Sequence, residues 1–185
     1  MGRLVMWNLL TLDGRFEGAK PWELDWHELV WGDELERLSI EQLGEAAGLV
    51  FGRRTYEGMA AYWTPATGQI ADLMNGIPKY VFSRTLDRAG WSNTTLVGGD
   101  AVDGVRAVKE RADGDLFVFG SAALSGALMR QGLFDEYRLA LTPVVLGAGA
   151  PLFKPDAGRL RLRLLEARPL STGCVVLRYE PVPEA

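Results

Sequence analysis

The chain has 185 residues, of which 48% are hydrophobic and 24% charged, a composition typical of a globular domain with a substantial core. Its formal charge of −4 argues against nucleic acid or acidic membrane surfaces as partners, because both attract clustered lysines and arginines. No stretch approaches the roughly 20 apolar residues of a membrane span, and no secretory leader is evident, so we expect a cytoplasmic protein. The single cysteine, Cys174, excludes an intrachain disulfide and a multi-cysteine zinc site, and we expect no metal.

Hydrophobic runs and turn residues predict strands at 4–12, 49–51, 80–83, 96–97, 116–119, 137–142, 162–169 and 175–181. Helices are expected at 35–46, 53–63, 70–74, 102–112 and 121–130. A capping-box pattern at Ser39-Ile40-Glu41-Gln42 leaves open whether the first of these is one helix or two. Residues 14–31 are expected to be irregular. This order predicts a three-layer α/β/α domain over residues 1–185, with a mostly parallel central sheet that ends in antiparallel strands.

Three strand ends carry residues suited to a phosphorylated dinucleotide. Gly52-Arg53-Arg54-Thr55 stands at a predicted helix start, where free N–H groups and the helix dipole favour phosphate. Ser83-Arg84 suits a ribose 2′-phosphate. Gly120-Ser121-Ala122 offers little bulk against a pyrophosphate, and we expect Ser121 to cap the following helix. Parallel α/β sheets bind nucleotides at the carboxyl ends of their strands, so these segments predict a nucleotide site.

The order of these motifs resembles the dihydrofolate reductase superfamily, in particular the branch with the reductase domain of the bifunctional riboflavin-biosynthesis deaminase-reductase. The resemblance runs from about Leu4 to about Tyr179. Residues 8–14, Asn-Leu-Leu-Thr-Leu-Asp-Gly, are similar to the family's first-strand motif, and residues 52–57 to its cofactor motif. Residues 83–85 are similar to its 2′-phosphate motif, and residues 133–153 to its C-terminal pattern.

The resemblance implies an NADPH-dependent oxidoreductase. It would transfer a hydride to a C=N or C=O type bond of a small flat heterocycle, pterin- or pyrimidine-like. The implied cofactor-binding residues are Gly52, Arg53, Arg54, Thr55, Ser83, Arg84, Gly120, Ser121 and Ala122. Substrate contacts are expected from Asn8, Thr11, Trp26 and Trp63, although large aromatic residues are also common in cores. The alternatives are a 5-amino-6-(5-phosphoribosylamino)uracil reductase and a catalytically inert nucleotide-binding module.

A proton donor for such a reaction would be a carboxyl group with a raised pKa, and the candidates are Asp13 and Asp25. Asp25 follows Pro21-Trp22, which resembles the segment before the catalytic acid of dihydrofolate reductases, with a spacing shorter by about two residues. Asp13 precedes Gly14, and Asp-Gly is equally a turn signal. His27 is either a proton donor or an exposed loop residue, and we expect the latter.

The chain departs from the family at several points, and two of these departures bear on the identity of the substrate. Gly120-Ser121 stands where the best-known members carry Gly-Gly, which leaves open whether this peptide is cis. Residues 76–79, Gly-Ile-Pro-Lys, lack the arginine that holds the glutamate tail of folate in dihydrofolate reductases, which argues against dihydrofolate. Residues 14–17 form no basic cluster for a ribose phosphate, and the chain has no deaminase zinc motif.

The apolar run at residues 139–146 predicts an oligomer. A sheet edge this hydrophobic needs cover, and a two-fold pair is the commonest solution, so we expect a homodimer. The alternative is that another part of the same chain covers the edge.

Overall fold

The computed structural model describes residues 1–155 and 158–182, and it is built on an eight-stranded sheet in the order β5-β4-β3-β6-β1-β7-β10-β9. Neighbours from β5 to β7 pair in parallel, while β10 pairs antiparallel with both β7 and β9. The strands of this sheet are β1 (Leu4–Thr11), β3 (Ala46–Gly52), β4 (Lys79–Phe82), β5 (Thr94–Val97), β6 (Asp115–Phe119), β7 (Glu136–Thr142), β9 (Leu162–Pro169) and β10 (Val175–Pro181). The prediction of a mostly parallel sheet with antiparallel final strands is confirmed.

Helices cover both faces of the sheet because side chains alternate along each strand. Val5 and Trp7 pack in one core with three helices, while Leu4 and Met6 pack in a second core with the other two. The first group is α1 (Asp33–Gly44), α2 (Arg53–Trp63) and α3 (Gln69–Gly76), and the second is α4 (Ala101–Arg111) and α5 (Ala122–Arg130). The three-layer α/β/α arrangement is therefore confirmed. Within the described residues, none of the helices has the length and apolarity needed to cross a membrane.

The segment before β3 contains one α-helix and more order than the sequence predicted. Ser39 lies inside α1 and donates a hydrogen bond from its hydroxyl to the carbonyl of Leu35, so the capping-box pattern does not start a second helix. Residues 14–31 include the short strand β2 (Arg15–Glu17) and a 3₁₀ helix at Asp25–Leu29. β2 pairs with β8 (Ala150–Pro151), which brings the segment after β7 back to the end of β1.

The apolar run at residues 139–146 is not a sheet edge, so the reasoning that linked it to a dimer is wrong. Its β7 portion is paired on one side with β1 and on the other with β10. The edges of the sheet are β5 and β9, and β9 is the more exposed, with Leu164 and Leu165 52% and 43% accessible.

A buried charge cluster joins β1, β7 and β10 near the amino end of β7. Glu136 is fully buried and accepts hydrogen bonds from Arg3, from Nε of Arg138 at 2.6 Å and from Nε of Arg178 at 2.7 Å. Burial alone would raise the pKa of Glu136, but these three guanidinium groups lower it to about 2. The cluster stands at the opposite end of the parallel strands from the cavity described next.

Candidate functional site

A cavity of about 380 Å³ lies at the carboxyl ends of β1, β3 and β6. Its wall includes Trp7, Asn8 and Leu9 of β1, residues 52–55 at the start of α2, and residues 119–124 at the β6–α5 junction. The sequence predicted a site at this edge, and every implied cofactor residue from α2 and from the β6–α5 junction lines the cavity.

The turn between β6 and α5 is held by three hydrogen bonds that link it to β1 and α2. The N–H of Gly120 donates to Oδ1 of Asn8 at 2.8 Å, and the N–H of Ser121 donates to Oγ1 of Thr55 at 2.9 Å. The N–H of Gly52 donates in turn to Oγ of Ser121 at 3.0 Å. These bonds fix the relative positions of the three segments that form the cavity.

Gly120 and Ser121 both adopt the left-handed region, with φ of 51° and 50°, and the peptide between them is trans. Such a conformation is strained for serine. It turns the Ser121 hydroxyl toward Gly52, so Ser121 does not cap α5 as the sequence predicted. As a result, no side chain caps the start of α5.

Two helix starts therefore meet at one cavity. Neither α2 nor α5 has a side-chain cap, and residues of the first turn of each line the wall. Uncapped N–H groups and the positive ends of two helix dipoles favour a bound anion at this place. This donor set fits the phosphates of a dinucleotide.

Arg54 forms an ion pair with a carboxylate of the protein itself. One of its terminal nitrogens contacts both carboxylate oxygens of Glu17, at 2.8 and 2.9 Å. Glu17 is only 7% exposed and also accepts a hydrogen bond from the N–H of Trp22. The pair ties β2 to α2 across the cavity entrance, and it reduces the charge that Arg54 can offer to a phosphate.

Arg53 links the cavity to the predicted 2′-phosphate segment. Its guanidinium donates to Glu57 on the same helix at 2.9 Å and to the hydroxyl of Thr85 at 2.8 Å. The Ser83 hydroxyl accepts from the N–H groups of Thr85 and Leu86 and so shapes the turn after β4. Arg84 is exposed on this turn. Ser83 and Arg84 lie outside the cavity lining, beside its α2 end.

Asp13 closes a loop and does not line the cavity. Its carboxylate accepts hydrogen bonds from the Thr11 hydroxyl at 2.6 Å and from the N–H groups of Leu146 and Gly147 at 3.2 and 3.0 Å. The Thr11 hydroxyl, helped by the two backbone donors, lowers the pKa of Asp13 to about 2. A carboxylate held in this way is deprotonated at neutral pH and is a poor proton donor. Thr11 is fully buried and also outside the lining.

His27, two residues beyond Asp25, lines the cavity, whereas Asp25 is exposed and does not. Burial lowers the pKa of His27 to about 4, partly opposed by the charge of Asp25, so the imidazole is neutral at neutral pH. The expectation of an exposed loop histidine is wrong. The position of His27 in the lining depends on how residues 14–31 fold back, for which the sequence has no clear signal.

The tryptophans that wall the cavity are Trp7 and Trp22. Trp26 and Trp63, which were predicted from the sequence to contact the substrate, both lie outside the lining; Trp26 is 3% exposed. Trp22 adopts a φ of 63° and packs on α2 so closely that a Cβ at Gly58 would lie 1.8 Å from its ring. Gly58 is thus required where this indole crosses the helix.

No set of three or more histidine, cysteine, aspartate or glutamate side chains is arranged to hold a metal ion in residues 1–155 and 158–182. Cys174 is buried, and burial raises the pKa of its thiol to about 11. This side chain is part of the core, as its strand-like context predicted.

The fold is that of the dihydrofolate reductases, and solved structures show the same arrangement. A putative riboflavin biosynthesis protein from Shewanella sp. PV-4 superposes with a TM-score of 0.80 at 20% identity, covering 98% of this chain and 99% of that one. Dihydrofolate reductase from Enterococcus faecalis, in a complex with NADP(H), gives a TM-score of 0.66 at 13% identity, covering 98% of each chain. At these identities the likeness concerns the fold.

The sequence itself defines the family. Residues 3–176 match the RibD C-terminal domain family, so the chain belongs to it. Protein YyaP of Bacillus subtilis is 29% identical over 182 residues, covering 96% of this chain and 94% of that protein. The resemblance to the reductase domain of the riboflavin-biosynthesis enzyme is confirmed.

Proposed function

We propose that the protein is an NADPH-dependent reductase that transfers a hydride to a C=N or C=O type bond of a small flat heterocycle, such as a pterin or a pyrimidine. The observation that carries the proposal is the meeting of two uncapped helix starts, α2 and α5, at one cavity with aromatic walls. The family supports an oxidoreductase. Bound NADPH would supply the hydride.

The residues of this chain would bind and orient the cofactor. Gly52 to Thr55 and Gly120 to Ala122 would surround the phosphates, with Arg53 adding charge from the rim. The N–H groups of Gly52, Gly120 and Ser121 already donate within the protein, so the phosphates would accept from the uncapped N–H groups in the first turns of α2 and α5. Ser83 and Arg84 would meet the ribose 2′-phosphate on the turn beside α2. Trp7 and Trp22 would shield the reacting ring from water, since both form the cavity wall.

Asp13 does not deliver the proton in this proposal, because its pKa is about 2 and its oxygens accept hydrogen bonds from the N–H groups of Leu146 and Gly147. Asp25 lies outside the lining, and a proton would then come from water admitted at the entrance. Because neither Asp13 nor Asp25 is placed to donate a proton, an inert nucleotide-binding module is the competing function. Turnover separates the two.

A second, adjoining cavity of about 430 Å³ favours the uracil reductase as the alternative substrate assignment. It shares Glu17, Arg54 and Ala150 with the first cavity and adds Lys20. Lys20 offers positive charge where a phosphoribosyl group of a substrate would extend, beside Arg54, whose charge Glu17 already offsets in part. The sequence showed no basic cluster at residues 14–17, and this pair arises instead from segments distant in the chain.

The experiment is a screen for NADPH oxidation with pterins, dihydropterins, pyrimidines with and without a phosphoribosyl group, and quinones as acceptors. Turnover well above background with any of them excludes the inert module. Binding of NADPH without turnover of any acceptor would favour the module. Activity confined to phosphoribosylated pyrimidines would favour the alternative substrate.

We also propose that the protein works in the cytoplasm as a homodimer, through the edge strand β9 rather than through β7. Among the described residues no strand pairs with the outer edge of β9, where Leu164 and Leu165 are exposed. Light scattering at micromolar concentration should give about twice the 20.3 kDa chain mass. Replacing both leucines by lysine should halve that value, and a wild-type mass near that of one chain would contradict the proposal.

A further inference from the structure

Two nitrogen atoms of the cavity residues lack hydrogen-bond partners. Nδ2 of Asn8 and Nε2 of His27 are both buried without a partner, and both residues line the cavity. The other unpartnered buried side-chain atoms of the described residues belong to residues outside this lining. Buried polar groups without partners cost free energy, so unpaired nitrogens in a cavity indicate groups that a ligand completes.

The orientation of Asn8 is determined by its neighbour. Its Oδ1 accepts the hydrogen bond from the N–H of Gly120 at 2.8 Å, so the amide cannot be flipped without losing that bond. The nitrogen end is therefore the free end, and it offers two N–H donors and no acceptor. The side chain is 6% exposed, which restricts the partner to something inside the cavity.

His27 adds an uncharged group to the lining of the same cavity. Its pKa of about 4 leaves a neutral imidazole, which offers either one donor or one acceptor at Nε2. The carboxylate that lines the cavity is that of Glu17, and it is occupied by Arg54 and the N–H of Trp22. A cationic ring inside the cavity would therefore meet donors and a neutral imidazole rather than a free negative charge.

We propose that Asn8 and His27 together determine substrate specificity by binding the edge of an uncharged heterocycle. Asn8 Nδ2 donates to a ring carbonyl, and His27 Nε2 bonds a further polar group of the substrate. This inference rests on the proposed function, because it assigns the same cavity to the reducible ring. Rings that carry an amino group in place of this carbonyl are disfavoured, because the amino N–H groups would face the donors of Asn8.

Two pteridines of equal size test this specificity. Lumazine, the 2,4-dione, presents carbonyl acceptors, whereas 2,4-diaminopteridine presents an amidine. Calorimetric titrations of the NADPH-loaded protein should show lumazine binding at least about tenfold more tightly, as expected when one ligand leaves buried donors unpaired. Equal binding, tighter binding of the diamine or no binding of lumazine would overturn the inference.

The substitution Asn8→Asp gives the sharpest test. It keeps an oxygen for the N–H of Gly120 and replaces the free N–H₂ by a carboxylate oxygen, so the preference should reverse toward the diamine. Gln42→Glu is the matched control. Gln42 is also 6% exposed, its Oε1 accepts from Arg138 at 3.0 Å, and its Nε2 also lacks a partner, but it lies on α1 outside the cavity.

The control should keep the wild-type preference. An unchanged preference in Asn8→Asp would overturn the inference. If that variant fails to fold, His27→Phe provides the test, because it keeps an aromatic ring and removes both nitrogens. Lumazine binding should weaken about tenfold in His27→Phe. His27→Gln should restore part of the lost binding. Unchanged lumazine binding by His27→Phe counts against the proposal. NADPH binding is measured separately. If NADPH does not bind, the proposed function is contradicted. If NADPH binds but the wild type does not prefer lumazine over the diamine, the role of Asn8 and His27 is contradicted.

Discussion

Replacing Glu136 by glutamine should destabilise the protein at neutral pH and much less in acid. The pKa of Glu136 is about 2 in the folded protein against an ordinary 4.5. That difference of about 2.5 pH units corresponds to about 3 kcal/mol of stability, and removing a partner from a buried ion cluster costs a similar amount. Because the folded-state pKa is depressed, this contribution is fully present above pH 4.5 and is lost as the pH falls toward 2.

Urea unfolding followed by tryptophan fluorescence gives the free energy of unfolding at each pH. The wild type should exceed Glu136→Gln by about 3 kcal/mol at pH 7 and by about 1.4 kcal/mol at pH 3, where more than half of the contribution is gone. Glu57→Gln is the control, because Glu57 forms an ion pair with Arg53 that is about half exposed on both sides and worth at most about 1 kcal/mol. A gap of equal size at pH 7 and pH 3 would refute the assignment of Glu136 as the carboxylate that the arginines hold ionised.

Arg84→Ala should weaken NADPH binding by about 1.5–3 kcal/mol in calorimetry, the range for a hydrogen bond to a charged group, and leave NADH nearly unchanged. Arg88→Ala, exposed on the same loop, is the control, and equal losses for both cofactors would show that Arg84 does not read the 2′-phosphate. Lys79→Met should cost about 2–4 kcal/mol in urea unfolding, because the buried ammonium donates to the carbonyls of Asn75, Ile77 and Ser92; a variant as stable as the wild type would contradict this role. Gly149→Ala should destabilise by at least about 1 kcal/mol more than Gly147→Ala, since both have positive φ but only at Gly149 does a Cβ meet backbone, 2.4 Å from the carbonyl oxygen of Glu17; equal losses would show that the β2–β8 contact adjusts freely.

Most of the fold could be predicted from local sequence. Continuous apolar runs such as Leu116–Phe119 indicated strands buried on both faces, and the helices between them followed from apolar spacing. The position of the run at residues 139–146 was not predictable in the same way. Whether a strand is central or at an edge depends on its partners, and β10, which covers β7, follows it by more than thirty residues. β2 and β8 are too short to carry a periodic signal.

The phosphate side of the candidate site could be predicted better than the substrate side. Gly52-Arg53-Arg54-Thr55 and Gly120-Ser121-Ala122 each follow a strand directly, so local order alone places them at the sheet edge. The substrate wall depends on how residues 14–31 fold back, and the left-handed turn at Trp22 and the 3₁₀ helix at Asp25–Leu29 have no clear sequence signal. Those two features bring His27 to the cavity and leave Asp25 exposed. The hydrogen bonds from the N–H groups of Leu146 and Gly147 to Asp13 likewise join residues that are far apart in the chain.

Binding of NADPH to the purified protein tests the central claim most directly, because every functional assignment above depends on a dinucleotide in this cavity. Isothermal titration calorimetry should show saturable binding of NADPH at one site per chain, tighter than that of NADH. The absence of any binding heat at millimolar NADPH would contradict the account.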